Sequence, residues 1–398
     1  MSNKSPRCIV CKQIFDDRHW YYFQLCESCG DFNYDKQQAT TDLSGKIAVV
    51  TGARVNIGYG VCLRLLRSGA RVITTTRFPH HAAQKYSQEI DFEEWRDRLQ
   101  IYALDLRDLA RVEAFTHYLV GGASPLENRV YSQLDIIVNN AAQTIRRPPA
   151  YYRHLIELES QPVAKLELRL QSLIANPEAS LEPNVNALNP MASLASIQHS
   201  DLVASLSQIP MLPEDEVDPA LFPIDKYDRD GNQIDLRSSN SWLLRDDEVS
   251  IVELLEVHVV NAIAPFVINS RLKGMMTRNQ YSDRYIINVS SQEGRFNGVD
   301  KPWRHPHTNM AKAALNQMTR TCAKEYAKHR IFMNAVDPGW ISFQHPYPIA
   351  TEMLDRGTEP PFTIIDAAAR ICDPIWTGLN TGNNQFGRLF KDYKIVDW

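Results

Sequence analysis

Residues 46–60 read KIAVVTGARVNIGYG. The stretch opens on four apolar residues, Ile47, Ala48, Val49 and Val50. A short apolar run bounded by a turn suits a strand buried on both faces. Thr51 and Gly52 follow as a turn, and Gly58 stands at the head of the amphipathic run YGVCLRLLRSG. A strand, a glycine turn and a helix in that order bring unpaired backbone N–H groups and the positive end of a helix dipole to one point. That arrangement suits a pyrophosphate.

The same rhythm continues outward. ARVITTT (70–76) predicts a second strand, HAAQKYSQEIDFEEWRDRL (81–99) a helix and QIYALDL (100–106) a third strand. RDLARVEAFTHYLV (107–120) predicts a helix and LDIIVNN (134–140) a fourth strand. Beyond residue 248 the alternation resumes: a long helix around 249–277, RYIINVS (284–290), a helix from about 308, IFMNAVDPG (331–339) and a last strand near GRLFKDY (387–393). Strands alternating with helices predict an α/β fold with a doubly wound parallel sheet. Segments 44–144 and 249–398 together make roughly 250 residues, enough for one such domain.

Residues 145–248 break the pattern and read as an inserted subdomain. We expect one or two helices there, then a hairpin turning at DRDGN (228–232). DRDG hints at a calcium loop, but aligning Gly231 with the loop glycine puts Lys226 and Arg237 at ligand positions, which argues for a plain turn. The insertion follows the fourth strand, at the carboxyl edge where ligands bind in such sheets. It is therefore expected to cover a substrate or to serve assembly.

Residues 1–43 form a separate module. Cys8-x2-Cys11 and Cys26-x2-Cys29 lie 14 residues apart. Two facing knuckles of this kind give four thiolates in a tetrahedron, the closed set of a structural Zn²⁺ site. Phe15, Trp20, Tyr21, Tyr22 and Phe23 lie between the pairs and are expected to pack a small core, followed by a polar connector, GDFNYDKQQATTDL. The module carries five Lys/Arg against six Asp/Glu. That balance disfavours nucleic acid and leaves a protein or inter-subunit contact as its expected partner.

The whole chain of 398 residues has a net charge of −4, so no global field draws it to nucleic acid or an anionic membrane. The N-terminus lacks an apolar signal core, and no apolar run in the sequence approaches the ~20 residues of a membrane helix. A cytoplasmic protein is expected.

The turn T-G-x-x-x-N-x-G at 51–58 resembles that of the short-chain dehydrogenase/reductase family, with Asn56 in place of the middle glycine. Other landmarks resemble that family in order: LDL with Asp105 and Leu106, VNNAA with Asn139 and Asn140, and NAVDPGWIS with Pro338, Gly339 and Ile341. The resemblance implies a Rossmann-type fold, dimers or tetramers built on the long helices, a small-molecule substrate, and cofactor contacts from Gly52, Arg54, Asn56, Ile57, Gly58, Asp105, Leu106, Asn139, Lys312, Pro338, Gly339 and Ile341. The second strand ends in Thr76 and Arg77, not in the acid that holds a ribose 2′-hydroxyl. An arginine there, with Arg54 nearby, favours NADP(H) over NAD(H).

The family's catalytic group is a tyrosine, a lysine, a serine and an asparagine. The resemblance supplies Asn261, Ser291 (after Ser290) and Lys312, but Thr308 stands where the tyrosine belongs. An aliphatic hydroxyl is far less acidic than a phenol of pKa ~10. His305, His307 or a tyrosine of the insertion (Tyr151, Tyr152 or Tyr227) could donate the proton instead, or HPHT could be only a helix entry with Thr308 as its N-cap. Three functions stay open: an NADP(H)-dependent oxidoreductase with an atypical proton donor, a non-catalytic NADP(H)-binding sensor or scaffold, and an enzyme that uses the cofactor without net redox.

Overall fold

The computed structural model describes residues 6–121, 131–175, 200–229, 231–278, 281–297 and 303–398. Eight strands form one sheet: β1 (Ile47–Thr51), β2 (Arg71–Thr76), β3 (Leu99–Ala103), β4 (Ile136–Asn139), β5 (Arg284–Val289), β6 (Ile331–Asp337), β7 (Leu389–Lys391) and β8 (Lys394–Val396). Their order is β3-β2-β1-β4-β5-β6-β7-β8, all parallel except the last pair. The chain direction across the sheet reverses between β1 and β4, which opens a crevice at their carboxyl ends.

Alternate strand residues serve opposite faces, which is why these strands read as unbroken apolar runs. Val50, Val72 and Ile136 enter one core with Leu65, Ile371 and Trp376. Their neighbours Val49, Ile73 and Ile137 enter the other, with Leu272, Met275 and Ile286. The expected last strand is in fact a hairpin, β7–β8, turned by Asp392 and Tyr393 at φ 48° and 63°. Two consecutive positive φ angles mark the tight turn that joins antiparallel strands.

Several elements differ from their expected form. The helix foreseen over 81–99 divides into Pro79–Tyr86 and the short Phe92–Trp95. The long helix of 249–277 is interrupted by a π-turn, Val259–Ile263, between Ile251–His258 and Ala264–Met276. The helix expected from about 308 begins at Pro306, with His305 as its N-cap in a left-handed conformation. Thr308 therefore lies inside the first turn and is not the cap.

The insertion contains the helices Arg153–Glu159, Leu168–Gln171 and Ser200–Leu206 and, as foreseen, a hairpin bridged at Tyr227 and Gln233. It is more than a cover at the carboxyl edge. Leu166, Leu170, Leu173 and Ile174 join the main core. Ile101 of β3 donates its N–H to Leu173 O at 2.8 Å and accepts from Ala175 N–H at 2.8 Å. The insertion thereby pairs with part of the β3 edge of the sheet, whose open groups would otherwise invite another strand.

The polar connector expected after the cysteines is mostly the helix Glu27–Gln38. Of the aromatics between the cysteine pairs, Phe15 and Tyr22 are buried, whereas Trp20, Tyr21 and Phe23 are exposed. The buried pair shares a cluster with Cys8, Leu25, Ile341, Phe362 and Ala367. The module's core thus continues into the main domain.

Candidate functional site

A cleft of about 550 Å³ lies at the sheet's reversal point. Its floor is the β1 turn. Gly52 has φ 67°, and a Cβ there would stand 2.7 Å from that of Ala141; a Cβ on Gly58 would stand 2.4 Å from Gly52 O. Both positions therefore exclude a side chain, which keeps the backbone open to a ligand. Asn56 adopts φ 53°, a left-handed angle that asparagine tolerates, so the turn keeps its shape without the middle glycine.

Ile57, Thr76, Arg77, Asp105, Leu106 and Ile341 line this cleft, as do Gly52, Arg54, Asn56 and Gly58. Arg77 donates to Tyr152 Oη at 2.9 Å, and its guanidinium lies 4.8 Å from the centre of that ring. Arg54 lies 3.3 Å from His81 Nδ1. Burial first, then the charges of Arg54 and Lys85, push His81 down to about 3, so it is neutral. Neither arginine faces a carboxylate within ion-pair distance among the described residues. Asp105, by contrast, is held by Arg107 at 2.7 Å. Burial alone would raise its pKa, but Arg107 and Arg77 bring it below its ordinary value.

Asn139 is not on this wall. Its amide donates at 2.8 Å to both Asn269 and Asn288, in a buried polar network between helices and sheet. The next residue lines the cleft instead: Asn140 Nδ2 donates to Gly52 O at 3.1 Å. Pro338 and Gly339 also lie off the wall, although Ile341 is on it.

None of the expected catalytic residues Asn261, Ser291, His305, His307, Thr308 and Lys312 lines this cleft, and Asn261 reaches it only through Gln143. Lys312 is buried, and its Nζ donates to Val289 O at 2.7 Å, at the end of β5 and two residues before Ser291. Burial brings it down to about 8, against the opposing pull of Glu293 and Asp337. Ser290 is fixed to Asn316 at 2.6 Å, whereas Ser291 is half-buried. Asn261 sits in the π-turn and clasps the backbone of Gln143, a cleft residue, accepting from its N–H at 2.7 Å and donating to its carbonyl at 3.1 Å. Such π-turns recur at functional sites because they re-aim one side chain.

The replacements for the tyrosine are less open than the sequence suggested. Thr308 is buried, one helical turn before Lys312. His307 is buried 3.5 Å from Glu253. His305 stacks on Trp242 of the insertion, with ring centres 3.8 Å apart. Of the insertion's tyrosines, Tyr151 and Tyr152 line the cleft beside Arg54, Arg77 and Arg147, while Tyr227 is exposed and off the wall. His345 and Tyr347 also line the cleft, on the segment after β6. Sequence reasoning missed both. Their position, six and eight residues past Gly339, was the available signal.

At the other end of the chain, the sulfur atoms of Cys8, Cys11, Cys26 and Cys29 lie within 4.8 Å of one another, Cys11 and Cys26 at 3.8 Å. Zn–S bonds of 2.3 Å imply tetrahedron edges of about 3.8 Å, so this donor set fits zinc.

Comparisons with known proteins agree with this geometry. The profile of the short chain dehydrogenase family matches residues 46–155, and that of its enoyl-(acyl carrier protein) reductase branch matches 245–358. The chain belongs to the short-chain dehydrogenase/reductase family. Neither match spans 156–244. An uncharacterized protein of Acanthamoeba polyphaga mimivirus is 31% identical over 93% of this chain and 71% of its own length. (-)-Isopiperitenone reductase of Mentha piperita is 25% identical over 74% of this chain and 84% of its own. Among solved structures, the NADPH-bound carbonyl reductase from chicken fatty liver superposes with a TM-score of 0.51 at 18% identity, covering 89% of this chain and all of that one. Carbonyl reductase Sniffer of D. melanogaster gives a TM-score of 0.51 at 15% identity over the same shares. At these identities the structural likeness speaks for the short-chain dehydrogenase/reductase fold alone.

Proposed function

We propose that this chain is an NADP(H)-dependent oxidoreductase that moves hydride to or from a carbonyl, alcohol or activated alkene. The observation that carries the reading is Arg77, at the end of β2 on the cleft wall, with Arg54 beside it and no carboxylate within ion-pair distance of either guanidinium among the described residues. A phosphate monoester suits this pair, since a guanidinium donates a planar fork of N–H groups to phosphate oxygens. The likeness to an NADPH-bound carbonyl reductase and to (-)-isopiperitenone reductase supports that chemistry. Bound cofactor would supply the hydride.

The remaining roles belong to this chain's side chains. Asn261 sets the Gln143 segment of the cleft wall, and Ser291 orients the substrate oxygen. Lys312 would hold the nicotinamide ribose when the cofactor is bound. With Thr308 unable to ionise near neutrality, Lys312 is also the group whose acidity suits proton transfer, because burial has brought it to about 8. Cys8, Cys11, Cys26 and Cys29 hold a structural zinc ion.

A second reading, an NADP(H)-binding sensor without turnover, is favoured by one observation: Thr308 is buried, and Trp242 covers the neighbouring His305. Fluorescence titration with NADPH and NADH tests the cofactor. NADPH should bind at least tenfold tighter, and Arg77→Ala should remove most of that difference. Equal affinities in the wild type would overturn the NADP(H) assignment. Consumption of NADPH with a panel of carbonyl and enone substrates then separates enzyme from sensor. Lys312→Ala should abolish turnover, whereas His305→Ala and His307→Ala should retain it. Binding without turnover on any substrate would favour the sensor. One zinc per purified chain is expected.

A further inference from the structure

The insertion reaches the wall of the cleft at three places. At the end of β2, Tyr152 stacks on Phe78 and accepts a hydrogen bond from Arg77. At the β1 turn, Asn56 Nδ2 donates to Asn232 Oδ1 at 3.2 Å. Asn232 belongs to the hairpin bridged at Tyr227 and Gln233, and its own N–H donates to Asp228 Oδ1 at 2.8 Å. Beyond β6, Tyr347 N–H donates to Asp235 O at 2.8 Å, and Asn240 Nδ2 donates to Gln344 O at 2.9 Å. Asp235 is itself held by Arg147 and by Arg237. The cleft wall accordingly includes Tyr151, Tyr152, Asp228, Asn232 and Asp235 alongside the β1 turn.

Asn56 matters most in this pattern. A glycine at that position would give the same left-handed turn but no side chain. The asparagine adds an amide, and that amide reaches the insertion. Resting on the NADP(H) reading above, we propose that the described parts of the insertion around Tyr152 and Asn232 form a roof latched over the dinucleotide by the Asn56–Asn232 hydrogen bond, with Tyr152 closing the end at Arg77, so that bound cofactor exchanges slowly. Asn56 and Asn232 act as positioning residues: they hold the roof against the turn, and the roof keeps water and competing nucleotide out.

Stopped-flow fluorescence, displacing NADPH with excess NADP⁺, measures the exchange directly on the full-length protein. Losing one neutral hydrogen bond should raise the off-rate roughly threefold to tenfold in Asn232→Ala and in Asn56→Gly. The double variant should be no faster than either single one, because both remove the same bond. Asn56→Gly restores a residue suited to the left-handed angle, so its melting temperature should match the wild type and exclude a folding defect. Tyr152→Ala should add its own acceleration, being a separate anchor. Wild-type off-rates in Asn232→Ala and Asn56→Gly, or effects of the two that add in full, would overturn the roof while leaving the cofactor assignment intact. If the wild type does not bind NADPH at all, the cofactor assignment fails and the roof with it.

Discussion

At the scale of single residues, Lys312 is the informative case. It lies one helical turn after Thr308, and it is buried with its Nζ on Val289 O. Its folded pKa of about 8 lies below the ordinary 10.5. Between these values the folded chain holds fewer protons than the unfolded chain, so this group's destabilising effect fades as pH rises through that window. Below pH 8 a shift of this size corresponds to about 3 kcal/mol, reduced by whatever the bond to Val289 contributes. Thermal melts of Lys312→Met against wild type should therefore show a stabilised variant at pH 7 and a gap that narrows from pH 8 to 10. A gap that does not change with pH would show that Lys312 is not a strained buried cation. The sequence placed Gly52 at the cleft and the four cysteines in one cluster because short motifs specify each of them. It could not place His305 or Thr308, because their burial depends on Trp242, more than sixty residues away, and on packing between helices. Asn139 was misplaced for a similar reason. Two adjacent asparagines end the strand, and alternation sends one inward to Asn269 and Asn288 and only the other to the cleft.

At the scale of elements, the helix Glu27–Gln38 shows what apolar patterning cannot reveal. It reads as a polar connector because most of its contacts are polar. Asn33 accepts from Arg370 at 2.6 Å, Gln37 donates to Asp366 at 2.8 Å and Lys36 pairs with Asp373 at 2.6 Å. Tyr22 donates to the same Asp366 at 2.5 Å. Asp366 in turn caps its own helix through Thr363 N–H at 2.7 Å. The four-cysteine cluster sits behind these contacts, and its apolar cluster includes Ile57 and Ile341, both on the cleft wall. Metal loss should therefore reach the cofactor turn. A chelator strong enough to strip the cysteines is expected to lower the melting temperature and to weaken NADPH binding severalfold, and NADPH should slow the metal's release, since coupling between two sites is reciprocal. Release monitored with a chromogenic zinc indicator, with and without NADPH, checks both directions. Identical release rates would show the module to be an independent appendage. The β strands were the more legible elements, because burial on both faces demands apolar runs that few other structures share.

At the scale of the whole molecule, the long interrupted helix requires an account. Ile251–Met276 is the one helical stretch among the described residues long and apolar enough by composition to cross a membrane, which amends the reading of the sequence. Its place in the fold argues otherwise. Of its most apolar stretch 44% is buried, and it carries Asn261 and Asn269, both engaged in internal hydrogen bonds. Yet its outer side leaves Ile251, Leu255, Ile263 and Phe266 exposed, and Met310 is exposed on the neighbouring helix Pro306–Ala327. Exposed apolar residues along one helix face are where we expect a contact with another protein to form. A second copy of the chain is the simplest occupant, since an isologous pairing brings the same stripe from both sides. Light scattering of the purified protein is then expected to give twice the chain mass. Leu255→Glu and Phe266→Glu, both on solvent-facing positions, should each yield the mass of one chain with the melting transition retained. They should also weaken turnover, because the same helix carries Asn261 to the cleft. A wild type that measures as a single chain without detergent, or variants that remain paired, would remove the stripe from the assembly and leave it free for a different partner.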